Sequence, residues 1–153
     1  MAKTVGSQSY EERAFSFLPL NSREVKPRIQ GITEIRGPYY TPMGKRYLED
    51  ILETMGAYID ILKFAGGSFS LMPRPVVREL VDLCHRHDVK VDTGGFIEHV
   101  LTLGPKAVDA YIEECKRLGF DIIEISSGFI SVPADDLIRL TEKVTKAGLL
   151  VKA

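Results

Sequence analysis

Two hydrophobic rhythms alternate along this chain. Short stretches dense in apolar residues occupy 58–68, 89–95, 120–128 and 148–153, the first three running into glycines. Between them, apolar residues return every three or four positions. In the first stretch Ile59, Ile61, Leu62 and Phe64 are what a strand buried on both faces requires, and Gly66 and Gly67 end it. The segment 31–37 reads as a shorter, more polar first strand. Helical spacing runs from Lys45 to Met55, where Tyr47, Leu48, Ile51, Leu52 and Met55 share a face and Gly56 closes the end. The same spacing predicts helices from Pro73 to His87, Gly95 to Leu103, Ala107 to Leu118 and Asp135 to Ala147.

The strand-like stretches recur about every thirty residues, the length of one βα unit. Strands alternating with helices imply a parallel sheet with right-handed crossovers. No GxGxxG or P-loop follows the first strand, whereas polar residues stand at the carboxyl end of each one. That favours a (β/α)8 TIM barrel over a nucleotide-binding open sheet. Eight units need about 250 residues, and the chain has 153. The fold class is therefore α/β, a partial (β/α)8 barrel of roughly four βα units plus the start of a fifth strand. Residues 1–28 read as an N-terminal arm, with an apolar knot from Ala14 to Leu20 packed on the domain. Residues 29–153 read as the N-terminal half of the barrel, its C-terminal half absent.

Composition narrows the partners. Twenty basic and 21 acidic residues are well mixed, leaving a net charge of −1, which argues against nucleic acid and a polybasic membrane surface. The apolar runs are strand-length, far short of a bilayer span. Met1 to about Ser9 has no apolar signal region, so the reading is cytoplasmic. Cys84 and Cys115 lack metal-binding spacing and read as free thiols.

In a barrel, the strand ends converge on one face. Glu34, Arg36, Lys63, Asp92, Glu124, Ser126, Ser127 and Lys152 would meet there. Carboxylates so gathered can hold Mg2+ through oxygen, and adjacent cations can bind an anionic substrate and stabilise a developing enolate. Lys63 and Glu124 also suit a structural ion pair between adjacent strands. The loop from Ala65 to Ser68 and that from Thr93 to Gly95 either offer amides to a phosphate or are tight βα turns. His85 and His87, two apart near a helix end, do not share a face and suit capping; His99 is a weaker candidate. Tyr39 and Tyr40 either line the pocket mouth or pack.

Tyr-Ile-Asp-Ile-Leu-Lys-Phe at 58–64, Val-Lys-Val-Asp-Thr-Gly-Gly at 89–95 and Gly-Phe-Asp-Ile-Ile-Glu-Ile-Ser at 119–126 together resemble the phosphosulfolactate synthase family. The resemblance is to its eukaryotic branch, with plant heat-stress-associated and fungal members, and covers the chain from about residue 14. It implies a (β/α)8 barrel and a lyase that adds sulfite to phosphoenolpyruvate with Mg2+, giving 2-phospho-3-sulfolactate for coenzyme M biosynthesis. It also implies catalytic roles for Lys63 and Glu124, metal ligation by Glu124 and Asp92, and substrate contacts from Arg36, Ser68, Asp92 and Ser126. Two positions depart from the archaeal pattern: the first strand has Thr-Glu-Ile-Arg-Gly in place of an Asp-Lys pair, and Asp92 replaces another residue. These departures suit an alternative, a non-catalytic heat-stress-associated interaction protein on the same scaffold. With half the active-site loops absent, the chain alone is expected to be inactive. It is also expected to self-associate through exposed barrel edges and an inner face that includes isoleucines among Ile59, Ile61, Ile122 and Ile123.

Overall fold

The computed structural model describes residues 13–38 and 42–153; Tyr39 and Tyr40 lie outside the described residues, as does the leader reading at Met1 to Ser9. The elements follow the predicted order: β1 (Glu34–Arg36), α1 (Lys45–Met55), β2 (Ile61–Lys63), α2 (Arg74–Arg86), β3 (Lys90–Asp92), α3 (Ile97–Leu101), α4 (Pro105–Leu118), β4 (Ile122–Glu124), α5 (Ala134–Lys146) and β5 (Leu150–Lys152). All five strands are parallel in one sheet, ordered β1-β2-β3-β4-β5. Each strand pairs with the next in sequence and the order never reverses. A doubly wound sheet would have a switch point; this is the winding of a partial barrel.

The regular ladder is only three residues long on each strand, shorter than the apolar stretches that announce it. Single bonds extend it at both ends: Asp60 N–H donates to the Thr33 carbonyl at 2.9 Å, and Phe64 N–H to the Asp92 carbonyl at 2.9 Å. Side chains alternate across the sheet. Leu62, Val91 and Ile123 face the helices and join one core with Leu48 and Leu52 of α1, Val77, Leu80 and Val81 of α2, Val108 and Ile112 of α4, and Leu140 and Val144 of α5. The opposite face carries Glu34, Arg36, Lys63, Asp92, Glu124 and Lys152. Of the four isoleucines among which inner-face residues are expected, Ile61 and Ile122 lie on that face, and Ile59 and Ile123 are in the core. Ile61 and Ile122 alternate with Lys63 and Glu124, so charge rather than apolar area dominates the concave side.

Helix ends follow local chemistry. Pro105 begins α4 and Gly119 ends it at φ 89°, a left-handed conformation that glycine adopts without a Cβ penalty. Cys84 and Cys115 are buried free thiols, and burial pushes both up to about 12, which makes them inert packing groups.

The segment before β1 is fastened by cations. Arg28, its side chain buried, holds Asp60 at 2.9 Å and donates to the carbonyls of Ala57 at 2.8 Å and Glu24 at 3.0 Å. Arg23 bonds the Thr33 hydroxyl at 2.7 Å and the Gly31 carbonyl at 2.8 Å. Lys26 donates to the carbonyls of Gly56 at 3.0 Å and His87 at 2.5 Å. The apolar knot does not pack as expected: Phe15 is 69% exposed and Phe17 78%. Their rings meet only each other, 6.1 Å apart among the described residues, because the clamp to the sheet is polar.

Candidate functional site

Alternation at each strand end separates an anchor from a presented group. Beside Lys63 on β2, Phe64 turns the other way into the core, its ring 5.7 Å from Phe69 and 5.6 Å from Phe120. The backbone of the presenting residues is fixed by the ladder. The Lys63 carbonyl accepts from Gly37 at 2.9 Å, and the Lys152 carbonyl accepts from Ile125 at 2.6 Å. Beyond β3, Gly94 takes φ 62°, and a Cβ there would lie 2.6 Å from the Phe64 carbonyl oxygen. Only glycine lets the β2 and β3 loops approach so closely.

At the carboxyl end of the sheet three carboxylates and two ammonium groups interlock. Oxygens of Glu34, Asp92 and Glu124 lie within 4.8 Å of one another. Lys63 Nζ is 2.5 Å from Glu124 Oε2 and 3.8 Å from Glu34 Oε1. Lys152 Nζ touches all three: Glu34 Oε2 at 2.6 Å, Glu124 Oε2 at 2.7 Å, and Asp92 Oδ2 in a short contact. It thus spans from the last strand to the first across the concave face. Asp92 is fully buried, and its Oδ1 accepts the Gly94 amide at 2.8 Å. Burial pushes the Asp92 carboxyl up and outweighs Lys152 and the Gly94 amide, leaving it above the usual range. Burial also opposes ionisation of Glu124, but Lys152 and Lys63 prevail and hold it below its ordinary value. Lys152, despite its desolvation, is raised by Asp92, Glu124 and Glu34.

This cluster borders an open cleft of about 610 Å³. It is lined by Arg36, Lys63, Glu124, Phe96, His99 and the 128–130 loop. Glu98 lines it as well. It is 6% exposed, and its carboxylate accepts the amides of Gly128 at 3.1 Å, Phe129 at 2.6 Å and Ile130 at 3.1 Å, with the Ser126 hydroxyl at 3.0 Å. Burial works against the Glu98 charge, yet those donors hold the carboxyl below its usual range.

The structure therefore brings together Lys63, Asp92 and Glu124, on adjacent parallel strands, and sets Arg36 on the cleft wall. Ser126 reaches the wall too, with its hydroxyl donated to Glu98. Ser68 is not among the residues lining the cleft: it opens a 3₁₀ turn, Ser68–Leu71, and its amide donates back to the Ala65 carbonyl at 3.1 Å. The glycine loops take the tight-turn form, with the Phe96 ring packed where a Gly67 Cβ would be. His85 binds Asp121 at 2.9 Å, away from the cluster. The sequence places Glu34 among the strand-end carboxylates that could hold Mg2+, while the resemblance names only Glu124 and Asp92 as ligands. The register row of Glu34 contains Ile61 and Lys90, not Lys63. Because barrel strands tilt, a layer of side chains cuts across register rows, which lets Glu34 meet Lys63 from a different row. The sequence reading does not single out Glu98; the available signal is a carboxylate set among Ile97, Val100 and Leu101 in a five-residue helix.

Comparison with known proteins places these residues in a family context. The (2R)-phospho-3-sulfolactate synthase (ComA) family model matches residues 21–153. Protein HEAT-STRESS-ASSOCIATED 32 of Arabidopsis thaliana is 42% identical over 137 residues, 90% of this chain and 48% of that protein. Phosphosulfolactate synthase of Methanothermobacter thermautotrophicus is 34% identical over 138 residues, 90% of this chain and 52% of its own length. That of Methanocaldococcus jannaschii is 30% identical over 107 residues, 69% of this chain and 42% of its own. The chain spans about half the length of the curated relatives it matches.

Proposed function

The chain belongs to the (2R)-phospho-3-sulfolactate synthase family, and from that premise we propose that its strand-end cluster serves a Mg2+-dependent addition of sulfite to phosphoenolpyruvate. The observation that carries the reading is the convergence of Glu34, Asp92 and Glu124 with Lys63 and Arg36 beside one cleft. The three carboxylates form a hard oxygen set suited to Mg2+, and they already enclose a cation, the Lys152 ammonium. Glu34, Asp92 and Glu124 would hold the ion, with Lys152, which is 31% exposed, withdrawing into the open space beside it. Bound there, Mg2+ supplies Lewis-acid stabilisation for negative charge on the substrate carboxylate.

Sulfite donates its sulfur lone pair to the methylene carbon of phosphoenolpyruvate, forming the C–S bond. The π pair of the alkene moves toward the carboxylate, giving an enediolate. A proton delivered to the phosphate-bearing carbon then yields 2-phospho-3-sulfolactate, and no electron acceptor is needed. Lys63 provides fixed positive charge beside the developing enediolate. Arg36, on the same wall, offers planar donors to the phosphate. Glu124 keeps Lys63 oriented through the 2.5 Å contact.

The reading includes a small anionic substrate, a cytoplasmic setting and product use in coenzyme M biosynthesis. Among the described residues no helix is long and apolar enough to cross a membrane. β1 and β5 each have one strand partner in the described sheet, so open edges support self-association of the chain. Light scattering at micromolar concentration should then give a mass above one chain.

A second reading, a heat-stress-associated interaction protein without the chemistry, draws on one observation. Lys63 and Lys152 satisfy the carboxylates internally, as a purely structural ion network would. Phosphorus NMR of phosphoenolpyruvate with sulfite and Mg2+ separates the two. The chain is assayed alone and fused to the C-terminal half of the Methanothermobacter thermautotrophicus relative. A sulfite-dependent new phosphomonoester resonance from the fused form supports the lyase. Its absence, with the fusion folded, favours the interaction protein.

A further inference from the structure

One wall of the cleft is held by a group with no part in the chemistry above. Glu98 sits on α3, and among the described residues the hydrogen bonds to its carboxylate come from one remote loop. The donors are the amides of Gly128, Phe129 and Ile130 and the Ser126 hydroxyl. Three closely spaced amides aimed at one anion form a nest, the backbone arrangement that proteins use to hold phosphates and carboxylates. Here the nest is filled from within. The loop it organises leads from Glu124 to α5 and lines the cleft at Gly128, Phe129 and Ile130. Phe129 itself is 95% exposed, so its side chain contributes almost no packing to hold the loop. Gly95 lies between the parts: a Cβ there would be 2.6 Å from Ser126 Oγ and 3.6 Å from both Glu124 Oε1 and Glu98 Oε1. Glu98, the loop and the Glu124 carboxylate therefore meet at one point where no side chain intrudes.

We propose that Glu98 is a positioning residue. Its carboxylate fixes residues 126–130 as a wall of the substrate cleft. By filling the nest it also keeps those amides from capturing the substrate's phosphate, which is left to Arg36. The effect on substrate rests on the function proposed above; the hold on the loop does not. Apolar packing cannot replace this anchor, since residues 127–129 are exposed and Ser126 and Ile130 only half-buried. A neutral isostere cannot replace it either: a glutamine amide has one acceptor oxygen, and its NH2 would face amides that also donate.

The test is hydrogen exchange on the full chain, wild type against Glu98→Ala and Glu98→Gln, with formate as a probe for the emptied nest. Loss of hydrogen bonds to a charged acceptor should speed exchange at Gly128, Phe129 and Ile130 by about tenfold or more. Amides of β2 and β3 should keep their wild-type rates. Formate should slow the three loop amides again in Glu98→Ala and leave wild type unchanged. Unchanged loop exchange in Glu98→Ala overturns the proposal. So does acceleration spread through β2 and β3 that formate does not reverse, which would make Glu98 a general stability residue. Should Glu98→Ala fail to fold, Glu98→Gln gives the same reading, with faster loop exchange supporting the anchor and wild-type exchange refuting it. Phosphoenolpyruvate is added in a second arm. Slowed exchange of the wild-type loop amides would mean that substrate enters the nest, contrary to the proposal. If wild type binds no phosphoenolpyruvate by equilibrium dialysis, the sulfite-addition reading fails while the exchange data still decide the role of Glu98.

Discussion

The same strands carry a cluster of charges at each end, and the two clusters are built differently. At the amino end, Asp60 meets Arg28 and Arg23, and those guanidinium groups also donate to the carbonyls of Ala57, Glu24, Gly31 and Tyr58. Asp60 in turn accepts the Thr33 amide at 2.8 Å. Side chains tied to so much backbone cannot rearrange without unfolding the segment. At the carboxyl end, three carboxylates share two lysines, and the contacts of those ammonium groups are all to carboxylates. Lysine is a point charge on a flexible stem, whereas arginine is a rigid fork. The first end is a clamp; the second, on the function proposed above, is an exchangeable cation site. Both ends carry ion pairs, and what each partner is additionally bonded to tells them apart.

Breaking the clamp should have the largest effect. Arg28→Ala leaves Asp60 buried without its nearest charge, so the fold should lose about 3 to 5 kcal/mol in chemical denaturation. Any divalent-metal affinity of the folded protein should stay as it was. A loss under about 1 kcal/mol would show that the amino-end pair is solvated and weak. At the other end the ordering reverses. Lys63→Ala in the fused, closed barrel should reduce sulfite addition by about a hundredfold, the usual consequence of removing a preorganised electrostatic donor. Its denaturation midpoint should barely move. An unchanged rate would return Lys63 to the status of a strand-to-strand ion pair.

A smaller effect sharpens the contrast through pH. The Glu98 carboxyl lies below its ordinary value of 4.5 in the fold. A depressed acid contributes stability that is complete above its unfolded value and fades as pH falls through the folded one. Protection of the Gly128 to Ile130 amides should therefore hold from neutrality down to about pH 4.5 and decline only in stronger acid. Exchange rates are corrected for intrinsic pH dependence. Loss of protection already near pH 6 would contradict the anchor. Asp92 has the opposite sign: its carboxyl is raised, so its ionisation costs the fold stability as pH rises from the unfolded value through the folded one.

Much of the architecture was legible because periodicity reports burial. Leu62, Val91 and Ile123 are apolar since they face the helix layer, and Leu48, Leu80 and Ile112 recur at helical spacing to meet them. Lys63, Asp92 and Glu124 stood out as charges at the ends of such strands. Glu34 and Glu98 were harder, for different reasons. The first acts across strand tilt, which register alone does not reveal. The second acts on a loop thirty residues away, through backbone amides that leave no side-chain pattern. The arm differs in the opposite sense: Phe15 and Phe17 are apolar yet exposed, while Arg23, Lys26 and Arg28 do the fastening.

The central claim is that Glu34, Asp92 and Glu124 form an exchangeable cation site, and calorimetric titration with Mg2+ tests it most directly. Wild-type protein should bind the ion weakly, because Lys152 must withdraw from all three carboxylates. Removing that competing charge in Lys152→Ala should tighten binding by about tenfold or more, given the repulsion between cations a few ångströms apart. Adding Asp92→Asn to Lys152→Ala should abolish the gain. Heats at background for both wild type and Lys152→Ala, with each protein folded, would contradict the account and make the carboxyl-end cluster as closed as the clamp at the other end.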